Sequence, residues 1–260
     1  MKNDLKIVGI QADLVWENST KNIAFFEQEI KKLASDIDLI VLPEMFASGF
    51  TMNPENVAEK MDGFTVSWMQ KIAFEKQTAI CGSLVISDDA NFYNRFIFVF
   101  PSGKIETYDK RHSFTLAGED KVYTSGSKKI IIEFKGWKIC PLICYDLRFP
   151  VWARNSENYD LLLFVANWPI ARIKAWDTLL KARAIENMSY VVGVNRTGTD
   201  ANNYEYSGNS LIIDYLGEEL SALGENEVGN ITATIFKDKQ VNVREKLGFL
   251  NDMDTFSVEC

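Results

Sequence analysis

The sequence predicts an α/β protein in which two sheets pack face to face, with helices on the outside. Short apolar runs of strand type alternate with segments of helical spacing. The second half of the chain repeats the mixture of the first, and a sheet that is apolar on one face needs a second layer to bury it. No low-complexity stretch, internal repeat or change of composition divides the 260 residues, so residues 1–260 read as one domain. A hydrophobic content of 47% and a charged content of 25% are ordinary for a globular protein with a sizeable core.

Residues Lys6 to Ala12 form the first expected strand. Asn18 or Ser19 then caps a helix to about Ala34, with Ile23, Phe26, Ile30 and Leu33 near helical spacing. Asp38 to Leu42 is a short buried strand ended by Pro43-Glu44, and a helix spans about Val66 to Lys76. Thr78 to Ile86, Asn91 to Phe100 and Ile105 to Tyr108 are strands, the last two joined by the turn Pro101-Ser102-Gly103-Lys104. In the second half, Lys129 to Phe134 and Trp137 to Ile143 flank the turn Lys135-Gly136, and a helix is expected near Val151 to Ser156. Pro141 removes a ladder donor from its strand, which points either to a bulge or to a different strand boundary. Asp160 to Val165 is a strand and Lys174 to Asn187 a helix. Ser189 to Val194, Tyr206 to Ile213, Glu218 to Ala222 and Gly229 to Phe236 are strands, followed by a helix near Lys237 to Lys246 and an irregular tail.

Bulk properties narrow the function. A net charge of −8 opposes nonspecific binding to nucleic acid or to an anionic membrane. The apolar run after Met1 is too short for a signal peptide, and the longest apolar runs, such as Leu161 to Asn167, fall far short of a membrane span. Four cysteines in 260 residues do not form a disulfide framework, so a reduced, cytoplasmic protein is expected. None of the eight arginines precedes Arg95, and six fall between positions 111 and 196. Local pairing with acids such as Asp146 and Glu186 is one explanation, and an anionic substrate is the other.

The segment Ile143-Cys144-Tyr145-Asp146-Leu147-Arg148-Phe149-Pro150 places a thiol where a strand breaks into a turn before a helix. Such a corner exposes a nucleophile and aims backbone N–H groups at its target. Cys144 is either this nucleophile or a buried apolar filler. Cys140 lies four residues away, about 13 Å along a strand, too far for a disulfide or a shared metal. The chain has one histidine, His112, too few for a typical zinc site with these thiols and more often structural when alone. A carboxylate is the alternative base. Glu44 follows the apolar strand Leu39-Ile40-Val41-Leu42 and Pro43, at a strand end where α/β proteins place reactive groups. A carboxylate partly withdrawn from water there is a competent proton shuttle, and a loop or capping acid is the plainer reading. Lys110, in Tyr108-Asp109-Lys110-Arg111-His112, is either a surface lysine or an ammonium that stabilises a thiolate and an oxyanion.

Taken together and in this order, Leu42-Pro43-Glu44-Met45-Phe46, Asp109-Lys110-Arg111-His112 and the Cys144 segment resemble the carbon–nitrogen hydrolase family, the nitrilase superfamily. The resemblance runs from the first strand to Ser207-Gly208-Asn209-Ser210, and it implies a four-layer α-β-β-α sandwich. Phe46-Ala47-Ser48-Gly49-Phe50-Thr51, Lys110-Arg111-His112-Ser113-Phe114, Val165-Ala166-Asn167-Trp168-Pro169 and Ala182-Arg183-Ala184-Ile185-Glu186-Asn187 look closest to its ω-amidase branch. What the resemblance implies is hydrolysis of ω-amides of 2-oxo acids, such as 2-oxoglutaramate, to the dicarboxylate and ammonia. By it Cys144 is the nucleophile, Glu44 the base, and Lys110 with the backbone N–H of Tyr145 the oxyanion site. Glu119 matches a second glutamate that positions the lysine or the substrate. No metal or organic cofactor is implied, and a homodimer is. Arg172, in a loop after Asn167-Trp168-Pro169, is the candidate for a substrate carboxylate, with Phe46, Phe50 and Trp168 lining the pocket. Arg148 is expected to brace the elbow, and Arg183 to pair with Glu186. Other amides, deaminated glutathione, N-carbamoyl compounds or nitriles, are alternative substrates. A non-catalytic binding protein is the alternative from another class.

Overall fold

The computed structural model describes residues 4–258. In the first half, β1 (Asp4–Gln11), β2 (Leu39–Val41) and β3 (Ala79–Asp88) run parallel. Parallel neighbours need crossovers, which α1 (Ser19–Lys32), the short α2 (Pro54–Val57) and α3 (Phe64–Lys76) supply. β4 (Asn91–Val99) and β5 (Ile105–Asp109) then extend the sheet as antiparallel hairpins. The second half contains β6 (Ile132–Phe134), β7 (Trp137–Ile143), α4 (Pro150–Ala153), β8 (Leu161–Val165), α5 (Ile173–Asn187) and β9 (Tyr190–Val194), followed by β10 (Thr197–Thr199) and β11 (Glu205–Ser207). β12 (Leu211–Ile213), β13 (Glu219–Ala222), β14 (Gly229–Phe236) and α6 (Lys237–Leu247) complete the order. One sheet has the order β14-β1-β2-β3-β4-β5 and the other β13-β12-β9-β8-β7-β6. In each, a parallel trio, β1-β2-β3 or β7-β8-β9, has antiparallel strands on both sides.

The period-2 alternation of the strands sorts the layers. Leu5 and Ile7 of β1, Leu39 and Val41 of β2, and Phe96 and Phe98 of β4 share one core with β7, β8 and β9. The intervening residues Val8, Ile10, Ile40, Ile80 and Ile97 turn the other way, onto Ile23, Phe26 and Ile30 of α1 and Val66, Met69 and Ile72 of α3. On the far side Trp176, Leu180 and Ala184 of α5 cover the second sheet. Every residue of β8 and β9 is buried, as a strand covered on both faces must be. The result is the expected helix–sheet–sheet–helix sandwich. Asn18 caps α1 by accepting the Lys21 N–H at 3.0 Å. Among the described residues no helix is long and apolar enough to cross a membrane.

Several elements differ from expectation. The single strand expected over Tyr206 to Ile213 is two, β11 and β12, parted at Gly208 (φ 85°) and Asn209 (φ 57°). The break is held from outside: Asn195 Nδ2 donates to the Gly208 carbonyl at 2.8 Å, and the Ser210 N–H donates to Gln11 Oε1 at 2.9 Å. The small sheet of β10 and β11 was not anticipated. Pro141 causes neither a bulge nor a strand end. The register of β7 with β8 is regular through Pro141↔Leu163, while β6 reaches only as far as Ile139, so Pro141 has a ladder neighbour on one side alone. The helix expected near Val151 to Ser156 is the four-residue α4, preceded by a 3-10 turn at Cys144–Arg148.

At Gly9 of β1 the backbone passes close to β9 of the other sheet and to the neighbouring β14. A Cβ there would lie 2.6 Å from Val194 Cγ2 and 2.9 Å from Ile231 Cγ1. Gly9→Ala should therefore destabilise the protein by about 1–3 kcal/mol through overpacking. A denaturant midpoint unchanged from wild type would contradict this packing of the sheets.

Candidate active site

The site forms where parallel strands end on a common rim. Glu44 follows β2, Cys144 follows β7 and Asn167 follows β8, while Lys110 follows β5. Two of these corners place a non-glycine residue in the left-handed region, Met45 at φ 43° and Cys144 at φ 44°. Such backbone costs of order 1–3 kcal/mol and persists only where its surroundings hold it. At the Cys144 elbow the holder is Asp146. Its Oδ2 accepts from the Ile143 N–H at 3.0 Å and from the Tyr108 hydroxyl at 2.8 Å. Its Oδ1 accepts from the His112 N–H at 3.0 Å and meets His112 Nδ1 at 2.7 Å. His112 also stacks on Phe149, with ring centroids 3.7 Å apart, so the lone histidine supports the elbow and lies away from the thiol's own partners.

Three charged side chains meet beside the thiol, all withdrawn from water: Glu44 is 0% exposed, Lys110 3% and Glu119 1%. Lys110 Nζ donates to Glu44 Oε1 at 3.0 Å and to both oxygens of Glu119 at 2.9 Å. Burial alone would push the Lys110 ammonium down, but Glu119 and Glu44 outweigh it and hold the group above its ordinary value, firmly charged. Burial raises Glu119, and Lys110 opposes that rise. Glu44 is saturated with donors: Asn94 Nδ2 reaches Oε1 at 2.7 Å and the Asn167 N–H reaches Oε2 at 2.8 Å. The Asn167 side chain also donates to the Glu44 carbonyl at 2.6 Å. Glu119 accepts the Phe114 N–H at 2.5 Å, which folds the loop after Lys110 around the ion pair.

Cys144 is half-buried beside this cluster, close enough to the Glu44 carboxylate for that charge to bear on the thiol. Burial, and next the Glu44 carboxylate, push the thiol well above its ordinary range, against the pull of Lys110. The thiol is therefore protonated at neutral pH, with the Glu44 carboxylate beside it. Burial also raises Cys81, and pushes Cys140 up to about 12, but both sit in apolar core. Geometry, not acidity, sets Cys144 apart.

A cavity of about 490 Å³ opens over Cys144, of the size that takes a small metabolite. Glu44, Lys110, Cys144, Tyr145, Asn167 and Arg172 are among its lining residues, as are Phe50 and Trp168. The Phe50 ring lies 5.2 Å from Lys110 Nζ. The Tyr145 N–H belongs to the first turn of the Cys144–Arg148 segment, where N–H groups have no acceptor within the turn. Glu119 stands behind Lys110, outside the cavity lining.

Two expectations are corrected. Phe46 does not line the pocket: it is fully buried between Phe26 and Trp68, in the core under α1 and α3, because the tight turn after Glu44 points it away from the rim. Arg148 does not brace the elbow. Its guanidinium lies 4.9 Å over the Trp168 ring and lines the cavity, while the bracing falls to Arg183, whose Nη2 donates to the Leu147 carbonyl at 2.7 Å. Arg183 also pairs with Glu186 at 2.8 Å, as expected. Sequence reasoning gave no role to Asn94, Ser83 or the Asn167 side chain. The available signal was polarity at an inward register: Ser83 continues the face of Ala79 and Cys81, and Asn94 that of Phe96 and Phe98.

A profile of the carbon–nitrogen hydrolase family matches residues 7–243. The chain belongs to the carbon–nitrogen hydrolase family. Among its relatives in that family, an ω-amidase, YafV, of Yersinia enterocolitica is 42% identical over 253 residues, 97% of this chain and 98% of that one. A 2-oxoglutaramate amidase of Bacillus subtilis is 34% identical over 94% of this chain and 95% of its own length. The crystal structure of XC1258 from Xanthomonas campestris, a carbon–nitrogen hydrolase superfamily protein with an arsenic adduct in its active site, superposes with a TM-score of 0.95. That protein is 39% identical, and the match covers 98% of this chain and 99% of the other.

The raised Cys144 thiol makes a prediction about pH. Because the neutral form is favoured, the thiolate fraction grows only as pH rises, and the rate of iodoacetamide alkylation at Cys144 should keep climbing above about pH 9.5, where an ordinary thiol of pKa about 8.5 has levelled off. A rate already flat at neutral pH would indicate a preformed thiolate instead.

Proposed function

We propose that this chain is an ω-amidase that hydrolyses ω-amides of 2-oxo dicarboxylic acids, 2-oxoglutaramate and 2-oxosuccinamate, to the dicarboxylate and ammonia. The observation that carries the reading is the Cys144 thiol held neutral beside the Glu44 carboxylate and the buried Lys110, under a cavity that also presents Arg148 and Arg172. Those two arginines lie over the rings of Trp168 and Phe114, and neither forms an ion pair among the described residues. The aromatic faces leave the guanidinium edges available to a carboxylate, for which Arg172 is the assigned partner. The activities borne by the Yersinia enterocolitica and Bacillus subtilis relatives agree with such a substrate.

In this mechanism Cys144 Sγ attacks the amide carbonyl while Glu44 takes the thiol proton. Lys110 and the Tyr145 N–H stabilise the oxyanion. Protonated Glu44 then gives its proton to the departing nitrogen; the C–N bond breaks, ammonia leaves, and a Cys144 thioester remains. Glu44 next removes a proton from water, whose oxygen attacks the thioester; the C–S bond breaks, the acid leaves, and the sulfur takes the proton back from Glu44, which restores the thiol and the carboxylate. Splitting amide hydrolysis into two acyl transfers lowers each barrier. Glu119 lies outside the cavity lining and keeps Lys110 in place.

The same reading takes the chain as one catalytic unit in a reduced, cytoplasmic setting, which the free Cys81, Cys140 and Cys144 suit. It includes a homodimer formed through the helix layer that follows the nucleophile, where Val151 of α4 and Ile185 of α5 are exposed. Mass in solution tests that part.

Ammonia release from 2-oxoglutaramate, succinamate, an uncharged aliphatic amide and a simple nitrile, assayed side by side, tests the activity. Turnover should be greatest with 2-oxoglutaramate; preference for the nitrile or the uncharged amide would reassign the substrate. Cys144→Ala should abolish ammonia release, whereas His112→Ala should retain substantial turnover. Full activity without Cys144 would sink the mechanism. No turnover of any amide, with no alkylation at Cys144, would favour a non-catalytic binding protein. Arg172→Met should raise KM for 2-oxoglutaramate by about tenfold to a hundredfold, the loss of one charge-assisted contact, and leave the uncharged amide little changed.

A further inference from the structure

Two buried carboxylates share one lysine here, and they would repel one another unless a further donor stood between them. Asn94 is that donor. Its Nδ2 donates to Glu44 Oε1 at 2.7 Å and lies 3.4 Å from Glu119 Oε1, so its two hydrogens serve the two acids. Its backbone carbonyl accepts the Lys110 N–H at 3.0 Å, which sets the height of the lysine on the continuation of β5. One residue thus touches all three members of the charged cluster. Asn94 is 1% exposed and does not line the cavity, so its role is exercised through Glu44 and Lys110.

The orientation of the Asn94 amide is fixed by a relay that starts beside Glu44 itself. The N–H of Met45, the residue after Glu44 and in the left-handed region, donates to Ser83 Oγ at 2.9 Å. That leaves the Ser83 hydroxyl hydrogen to donate to Asn94 Oδ1 at 2.8 Å. An acceptor engaged in this way must turn the NH₂ end toward the carboxylates. The chain of bonds closes on itself, from the Glu44–Met45 backbone through Ser83 and Asn94 to the Glu44 carboxylate. We propose that Asn94, oriented by Ser83, is a positioning residue: it screens Glu44 from Glu119 and holds Glu44 in the single rotamer that faces the Cys144 thiol. This rests on Glu44 being the proton carrier for Cys144.

Asparagine suits the place for its charge as much as its shape. The groups facing Glu44 are Lys110 from the end of β5, Glu119 from the loop beyond it, the Cys144 thiol from the elbow, and Tyr123 at longer range. An aspartate in place of Asn94 would put a third carboxylate against one ammonium and exchange two donated hydrogens for repulsion. The cluster would then take up a proton at higher pH, and the active form would be lost sooner on acidification.

The test measures kcat, KM and the pH profile on active-site-titrated enzyme. Asn94→Ala should lower kcat by about tenfold to a hundredfold, part of what a well-placed base contributes, with KM within about threefold. Asn94→Asp should move the acid limb of the kcat/KM profile upward by about one pH unit or more. A role in folding alone would lower the titratable fraction and the melting temperature, and would leave kcat per titrated site and the profile where they were; that result would overturn the proposal. If the Asn94 variants do not fold, Ser83→Ala keeps the amide but removes its orienting donor. It should lower kcat severalfold with KM kept, and an unchanged kcat would overturn the proposal equally. Glu44→Gln separates the two failures: an active Glu44→Gln enzyme would refute the assignment of the base, whereas an inactive one beside normal Asn94 and Ser83 variants would refute only the positioning role.

Discussion

A single buried ammonium, Lys110, set between Glu44 and Glu119, is the constraint on which the rest of the site depends. Taking three charges out of water is costly, and their mutual attraction repays it only when the geometry is good and the remaining lone pairs are satisfied. The chain meets that condition from several directions. Asn94 comes from β4, Asn167 from the end of β8 in the opposite sheet, and the Phe114 N–H from the loop after β5. The cluster therefore joins the two sheets at their rim, where the apolar core between them gives way to polar side chains. Removing one member would leave the others buried and uncompensated, a more damaging change than the loss of the pair's own attraction.

The same cluster bears on how an uncharged thiol would serve as the proposed nucleophile. Cys144 does not rely on being a thiolate at rest; burial and the neighbouring Glu44 both oppose ionisation. In the proposed mechanism its advantage is a carboxylate beside it to take the proton and an ammonium nearby for the charge that would develop on the substrate. The left-handed backbone at Cys144 is what presents the sulfur to both. That strain is absorbed by Asp146, whose four contacts come from Tyr108 of β5, His112 of the Lys110 loop and Ile143 at the end of β7. Elbow and lysine loop are thus tied to one carboxylate, and His112 serves in that tie.

Much of this was legible in the primary structure. Glu44 after Leu39-Ile40-Val41-Leu42-Pro43, Lys110 after a hairpin strand and Cys144 at a strand end each carried a local signature, and their order along the chain carried more than any one alone. Arg172, Phe50 and Trp168 reach the cavity as expected. Phe46 and Arg148 were misplaced for a shared reason: within a tight turn, neighbouring side chains point in opposite directions, and sequence spacing does not say which. Phe46 turned into the core under α1, and Arg148 turned out toward Trp168.

What the sequence determined by itself follows from local physics: short apolar runs and helical spacing placed the strands and helices, and turns at Pro and Gly placed several of their ends. It also determined the chemical types at the site, since a thiol, two carboxylates and a lysine sit at element boundaries where side chains are free to converge. Only the tertiary structure decided how these are wired. Whether Asn94 and Ser83 are ordinary strand polar residues or the braces of a base depends on which face of β3 and β4 meets the rim. The break between β11 and β12 depends on Asn195 and Gln11 reaching across from other strands. Such contacts join residues distant in the chain, and their energies come from burial and complementary donors that exist only after the two sheets have closed on one another.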